Sequence, residues 1–261
     1  MSMIIDFHNH IYPEKIAMKA TKSIGEFYNV GMCKVGTTDT LVETGEKAGI
    51  GKYLVQSVAT TAAQVHSIND FISSQCRQEE RFVGFGTLHP DVEDIPAEVD
   101  RMISLGLRGV KLHPDFQKFN IDDKCALPIY VACEGRMPIL FHTGDFRYTY
   151  SHPERVLNIL KQFPDLTVIA AHFGGWGIWD EAVPYMMRCS CYMDTSSTFG
   201  FIGADRMKRL ILKYGPDRLV FGTDFPMWSS VDEVNNLQTM GLSDDWLEKI
   251  FYSNARTILK L

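Results

Sequence analysis

Most histidines of this chain stand at the ends of short apolar segments. The sequence has eight histidines. Six of them end such segments: His8, His10, His89, His113, His142 and His172. A further segment ends in Asp224. Imidazole nitrogens and carboxylate oxygens are ligands of zinc-type ions. The pattern therefore predicts that one end of a set of strands gathers histidines and a carboxylate around a metal ion.

His8 and His10 lie two residues apart at the end of the first apolar segment. Side chains at i and i+2 of a β-strand leave the same face, with their Cα atoms about 6.5 Å apart. Two imidazoles placed in this way can bind one ion at the zinc–nitrogen distance of about 2.0–2.1 Å. A hydrogen-bonded pair without metal is the alternative, and the position of the pair at a strand end favours the metal.

His142, His172 and Asp224 end three later segments. Gly144 and Gly174 each follow a histidine by two residues, and glycine lets the backbone turn sharply and leaves the imidazole open. Asp224 could serve only as the cap of the next helix. The apolar residues before it favour a partly buried carboxylate instead, which requires a cation or strong hydrogen bonds.

The apolar segments also predict the architecture. Short segments rich in Val, Ile, Leu and Phe are typical of buried parallel strands. We predict eight of them, at residues 3–10, 53–59, 82–88, 109–113, 138–142, 167–172, 191–195 and 219–224. Helical spacing of apolar residues lies between them, for example at 122–135. The alternation predicts an α/β fold, a (β/α)8 TIM barrel with eight parallel strands and outer helices, as one domain over residues 1–261.

A doubly wound open sheet is the alternative fold. It would place a glycine-rich phosphate turn after the first strand, where this chain has His-Asn-His. Residues 11–37 interrupt the regular alternation of strands and helices, and we predict that they form a long loop after strand 1. Its Tyr12, Phe27 and Met32 indicate a packed segment, of the kind that forms a lid or a pocket wall.

These motifs resemble those of the amidohydrolase superfamily. More narrowly, they are similar to the branch of metal-dependent hydrolases that is related to aminocarboxymuconate-semialdehyde decarboxylase. The resemblance covers essentially the whole chain. The metal ligands that it implies are His8, His10, His142, Asp224 and, in one of two roles, His172. His172 would either complete the coordination shell of the metal or lie beside the metal-bound water. Asp224 would take a proton from that water and pass it to the leaving group.

One divalent metal ion is the expected cofactor, with zinc placed before manganese or iron. Such an ion lowers the pKa of bound water from 15.7 to ~7, which makes hydroxide available at neutral pH. The main prediction is hydrolysis of a small carboxylated or cyclic amide or ester substrate. The alternative is non-oxidative decarboxylation of a small or aromatic carboxylic acid, in which Asp224 or His172 governs protonation at carbon. A barrel that binds a ligand without catalysis fits the near-complete ligand set less well.

The fourth strand carries Lys111 and His113 on one face. In binuclear members of the superfamily, a lysine at this place is carboxylated and bridges two ions. Lys111 could be that residue, which would add a second ion. It could also be an ordinary lysine that neutralises a substrate carboxylate or pairs with Asp224, and we favour one metal.

We assign four residues to substrate binding: Lys111, His113, Arg147 and Trp176. Arg147 follows the fifth strand and could bind a carboxylate bidentately, or it could form a surface ion pair. Trp176 follows the sixth strand and could form the wall of a pocket for a planar or small apolar substrate, or it could only pack.

Composition and charge limit the classes of partner and the compartment that we expect for this protein. The net charge is -6, and no cluster of lysines and arginines suggests binding to nucleic acid. No apolar stretch approaches the ~20 residues that span a bilayer. The six cysteines form no Cys-x-x-Cys pair, which favours free thiols in a reducing compartment. We expect a cytoplasmic enzyme that acts on a small-molecule substrate, and a homodimer is the one oligomeric state that we consider, without assigning it.

Overall fold

The computed structural model describes residues 3–261. Its strands follow one another in chain order within one eight-stranded sheet, and the neighbouring strands with assigned register are parallel. The strands are Ile4–His10 (β1), Ile50–Gln56 (β2), Phe82–Thr87 (β3), Gly109–Leu112 (β4), Ile139–Phe141 (β5), Val168–Ala170 (β6), Tyr192–Asp194 (β7) and Leu219–Val220 (β8). This order confirms the predicted (β/α)8 TIM barrel and not the doubly wound alternative.

Helices follow most of the strands. The α-helices are Glu14–Tyr28 (α1), Thr38–Lys47 (α2), Val65–Gln78 (α3), Ile95–Ser104 (α4), Pro114–Gln117 (α5), Leu127–Cys133 (α6), Pro153–Gln162 (α7), Trp179–Met186 (α8), Phe199–Tyr214 (α9), Ser230–Gln238 (α10), Asp244–Glu248 (α11) and Asn254–Leu259 (α12). Among the described residues, no helix has both the length and the apolar character that crossing a bilayer requires.

Residue packing divides the chain into two compact units. Among the described residues, the first unit comprises 3–56, Glu79–Val83 and Thr195–Leu261, and the second comprises Ser57–Gln78 and Gly84–Asp194. In the first unit, the core includes Ile5, Phe7 and Phe221, each at most 1% exposed. In the second unit, the three residues of β5 are fully buried between β4 and β6. Burial on both faces explains why these strands are continuous apolar segments in the sequence.

Helix α1 occupies much of the segment that we predicted to be a long loop, so that prediction is corrected. The buried residues of this helix are Ala17, Thr21 and Gly25. They are four residues apart and therefore share one face. Because they are small or polar, this face lacks the apolar periodicity that indicates a helix in a sequence. Residues 29–37 remain irregular.

The helix predicted at residues 122–135 is shorter in the structure, where α6 covers Leu127–Cys133. Turns precede it, because the backbone N–H of Asn120 donates a 2.8 Å hydrogen bond to Oδ2 of Asp123. Asparagine and aspartate side chains compete in this way with helical hydrogen bonding. The six cysteines carry free thiols, as the sequence predicts.

Candidate metal centre and active site

Three of the predicted metal ligands meet in the first unit. Nε2 of His8 and Nε2 of His10 lie 3.2 Å apart. Oδ1 of Asp224 lies 3.5 Å from the first nitrogen and 3.4 Å from the second. Two atoms that bind the same divalent ion at about 2.0–2.2 Å lie about 2.8–3.6 Å apart, from octahedral to tetrahedral coordination. The donor set and its spacing therefore fit a divalent metal ion.

The local structure of β1 explains how two histidines share this site. His8 and His10 point to one side of the strand, while Asn9 between them donates from Nδ2 to the backbone oxygens of Asp6 and Leu54, at 3.1 Å each. The pairing of β1 with β2 is irregular between Asp6 and Asn9. The strand is thus anchored on the side opposite to the imidazoles, which sets the direction in which they point.

Asp6 is a buried carboxylate that supports the same site. It is fully buried, and its Oδ1 accepts hydrogen bonds from the backbone N–H groups of His8 at 3.2 Å and Thr223 at 3.0 Å. Sequence reasoning missed Asp6, although an acidic residue inside an apolar strand was a usable signal. Its hydrogen bonds join the strand that carries His8 to the residue next to Asp224.

His142 and His172, the other two predicted ligands, meet in the second unit. Nε2 of His172 and Nδ1 of His142 lie 3.1 Å apart, and both side chains are buried. The backbone N–H of His172 donates a 3.0 Å hydrogen bond to Oδ1 of Asp194, which is fully buried at the end of β7. Asp194 was not predicted, although it ends a strand as Asp224 ends a segment. His172 has a φ of 58°, a left-handed conformation that is uncommon outside glycine.

His113 and Asp115 lie beside His142. The imidazole of His113 stacks between Phe116 and His142, with centroid separations of 3.8 and 4.0 Å. Oδ2 of Asp115 accepts a 2.6 Å hydrogen bond from Ser151 and lies 3.9 Å from Nε2 of His142. Burial raises the pKa of Asp115 to about 7. Sequence reasoning missed Asp115, because its burial depends on residues such as Ser151 that are distant in the sequence.

Lys111 lies on β4 of the second unit and is only 1% exposed. Burial of an ammonium group is costly without a partner or a change in its charge state. The burial agrees with each role proposed from the sequence, and carboxylation of Lys111 therefore stays a prediction.

Arg147 is held within its own loop. Its Nε donates to Oδ1 of Asp145 at 2.9 Å and its Nη2 donates to Oδ2 at 2.7 Å, which is a bidentate pair. This is the ion pair that the sequence left open, and a substrate contact of Arg147 stays a prediction. The guanidinium carbon lies 5.6 Å from the centre of the Trp176 ring. Trp176 is 5% exposed, and its ring centroid lies 6.3 Å from that of His142.

The chain belongs to the amidohydrolase family, because the family model described as "Amidohydrolase" matches residues 5–261. This confirms the superfamily that the motifs resemble.

Among solved structures, the chain is similar to three decarboxylases. The first is 2,6-dihydroxybenzoate decarboxylase from Rhizobium, with 17% identity, a TM-score of 0.77 and coverage of 100% of this chain and 99% of that chain. The second is dihydroxybenzoic acid decarboxylase from a Polaromonas species with bound manganese and 2-nitroresorcinol, with 18% identity, a TM-score of 0.77 and coverage of 100% and 98%. The third is 5-carboxyvanillate decarboxylase from Sphingomonas paucimobilis, with 15% identity, a TM-score of 0.76 and full coverage of both chains. At such identities the likeness establishes the fold.

Proposed function

We propose that this chain is a metal-dependent, non-oxidative decarboxylase of a small aromatic carboxylic acid. The observation that carries the proposal is the cluster of His8, His10 and Asp224, whose ligand atoms lie 3.2–3.5 Å apart. The choice of decarboxylation over the hydrolysis favoured from sequence is supported by the decarboxylases that match the chain over its length.

The proposed cofactor is one divalent ion, and manganese is the first ion to test, because one of the similar decarboxylases contains it. Zinc was expected from the sequence, and only the general chemistry of the ligands supports it. His8, His10 and Asp224 would hold the ion, while His142 and His172 stay predictions as further ligands. When bound, a divalent cation supplies Lewis acidity that can bind and neutralise a substrate carboxylate or a neighbouring hydroxyl.

The reaction breaks the bond between the ring carbon and the carboxylate, releases CO2 and places a proton on that carbon. His172 is the first candidate for delivering this proton. Its Nε2 lies 3.1 Å from Nδ1 of His142, so the two imidazoles can share a proton between them. Asp224 is the second candidate, because Oδ1 belongs to the proposed metal site. A positioned acid of this kind contributes roughly 10²–10⁴-fold to a rate.

A product assay tests the proposal against hydrolysis. The chain, loaded with Mn²⁺ or Zn²⁺, is incubated with a panel of hydroxybenzoic acids and, in parallel, with cyclic amides and esters. Release of CO2 with loss of the aromatic acid is the expected result. Formation of a new titratable acid without CO2 would instead support the hydrolase. A chain that binds less than one equivalent of any divalent ion after reconstitution would contradict both.

A further inference from the structure

A chain of two hydrogen bonds ends on Asp224. Nε1 of Trp228 donates a 2.8 Å hydrogen bond to Oγ of Ser197. The hydroxyl of Ser197 in turn donates a 2.5 Å hydrogen bond to Oδ2 of Asp224. The other oxygen, Oδ1, is the one that lies near Nε2 of His8 and His10. The two oxygens of one carboxylate therefore have separate partners.

The direction of these hydrogen bonds follows from the groups involved. An indole N–H can only donate, so Oγ of Ser197 accepts from Trp228. The single hydroxyl proton of Ser197 is then directed to the carboxylate, which is a far stronger acceptor than the sulfur of Met227 at 3.5 Å. Ser197 is 2% exposed, so water does not compete strongly for this proton.

The backbone holds both partners in uncommon conformations. Ser197 has a φ of 46° and Asp224 has a φ of 57°, both in the left-handed region. Such conformations outside glycine persist where the surroundings hold them, and they cluster at functional sites. Gly200 accommodates the indole, because a Cβ at this position would lie 2.8 Å from the ring of Trp228. The indole is thus seated against α9 with its N–H aimed at Ser197.

We propose that Ser197 and Trp228 are positioning residues that reserve Oδ1 of Asp224 for the metal ion. With Oδ2 held by Ser197, the carboxylate binds through one oxygen and keeps a fixed plane. The inference rests on the proposed metal centre and adds two residues to it. Loss of a group that orients a metal ligand typically lowers metal affinity by roughly 10–100-fold.

Two substitutions remove the hydrogen bonds one at a time. Ser197→Gly removes the hydroxyl and suits the left-handed backbone, so the fold is not strained. We expect it to raise the dissociation constant for Mn²⁺, measured by calorimetry, roughly 10–100-fold. Trp228→Phe keeps an aromatic ring and removes the N–H, and we expect an increase of about two- to tenfold. Trp246→Phe in α11 is the matched control and should leave the affinity unchanged.

The double variant tests whether Trp228 affects Asp224 only through its hydrogen bond to Ser197. If Trp228 acts through Ser197, then Ser197→Gly with Trp228→Phe binds Mn²⁺ no more weakly than Ser197→Gly alone. If the increases in the dissociation constant from the two single substitutions multiply in the double variant, Trp228 acts by another route. That result would overturn the proposed link from Trp228 through Ser197 to Asp224. Unchanged affinity in Ser197→Gly would overturn the role of Ser197.

A crystal structure of metal-free Ser197→Gly gives a measurement that does not need the ion. We expect the carboxylate of Asp224 to rotate, so that Oδ1 leaves its positions 3.5 Å and 3.4 Å from the two imidazole nitrogens. A carboxylate that stays in place would overturn the inference. Rotation in a protein whose wild type binds no divalent ion would support the positioning role while contradicting the proposed function, so the two failures are distinguishable.

Discussion

Oγ1 of Thr223 donates a 2.6 Å hydrogen bond to Oδ2 of Asp6, and the backbone N–H of Thr223 donates to Oδ1 at 3.0 Å. Thr223 directly precedes Asp224, and Asp6 lies two residues before His8. The same carboxylate also accepts from the backbone of His8. One buried acidic side chain therefore fixes the relative placement of two backbone segments that supply ligand atoms to the proposed metal centre.

Thr223→Val should destabilise the chain, because valine keeps the shape of threonine but removes the hydroxyl donor. Asp6 is fully buried, so its carboxylate would lose a partner that water does not replace. We expect the free energy of unfolding to fall by about 1–3 kcal/mol, measured by urea denaturation. Thr239→Val is the control: its hydroxyl donates to the backbone oxygen of Asn235 at an exposed position, and the expected change is within ~0.5 kcal/mol. Equal losses in the two variants would contradict the role of Asp6.

His8→Ala should weaken metal retention, because the loss of one ligand leaves the coordination shell incomplete. We expect less than half an equivalent of metal after dialysis, measured by elemental analysis, with a folded chain by circular dichroism. His66→Ala is the matched control, since the side chain of His66 is 70% exposed. The same measurement on His142→Ala asks whether His142 is a further ligand. Normal metal content in His8→Ala would contradict the ligand assignment.

The ends of the strands could be predicted because two simple constraints act there. A strand that is buried on both faces must be apolar, and a polar side chain can follow only where the strand meets solvent or a site. His8, His10 and Asp224 stand out for this reason, and the eight apolar segments give the barrel. Helix α1 could not be predicted in this way, because its buried face carries Ala17, Thr21 and Gly25 rather than large apolar residues.

The residues that support the site could not be predicted in the same way. Ser197 lies in a stretch of serines and threonines. Its left-handed backbone conformation and its hydrogen bond to Asp224 cannot be inferred from these residue types. The partner of the Trp228 indole N–H is likewise known only from the structure. Asp115 and Asp194 gain their significance from neighbours that are distant in the sequence, such as Ser151 and His172.

Asp224→Asn should abolish turnover while leaving the fold intact. Asparagine keeps the size of the side chain and can still bond to Ser197, but it lacks the charge that a cation needs and the basicity that proton transfer needs. We expect at least a roughly hundredfold loss of decarboxylation, with an unchanged far-ultraviolet circular dichroism spectrum. Asp232→Asn, in the first turn of α10, is the control. Retained activity would reject a proton-transfer or metal-binding role for Asp224.

Glu233 should make the stability of the chain depend on pH. It is 6% exposed in α10, and burial, with smaller effects from Asp6, Asp232 and Asp224, raises its pKa to about 8. The unfolded chain would release this proton near pH 4.5, whereas the folded chain holds it until about pH 8. Because the folded state binds the proton more tightly, the contribution of Glu233 to stability is complete below pH 4.5 and is lost as the pH rises through about 8.

Glu233→Gln keeps the shape of the side chain but cannot ionise. The variant should therefore lack the decrease in stability that ionisation of Glu233 causes as the pH rises. The stability of the variant relative to the wild type should increase between pH 5 and pH 9, by up to about 4 kcal/mol. Urea denaturation in the presence of a chelator measures the difference at each pH without the charge of a bound ion. Glu14→Gln, at an exposed position in the first turn of α1, is the matched control. A difference between Glu233→Gln and the wild type that stays constant across this range would mean that Glu233 is already ionised in the folded chain, and that its charge is stabilised by partners rather than suppressed by burial.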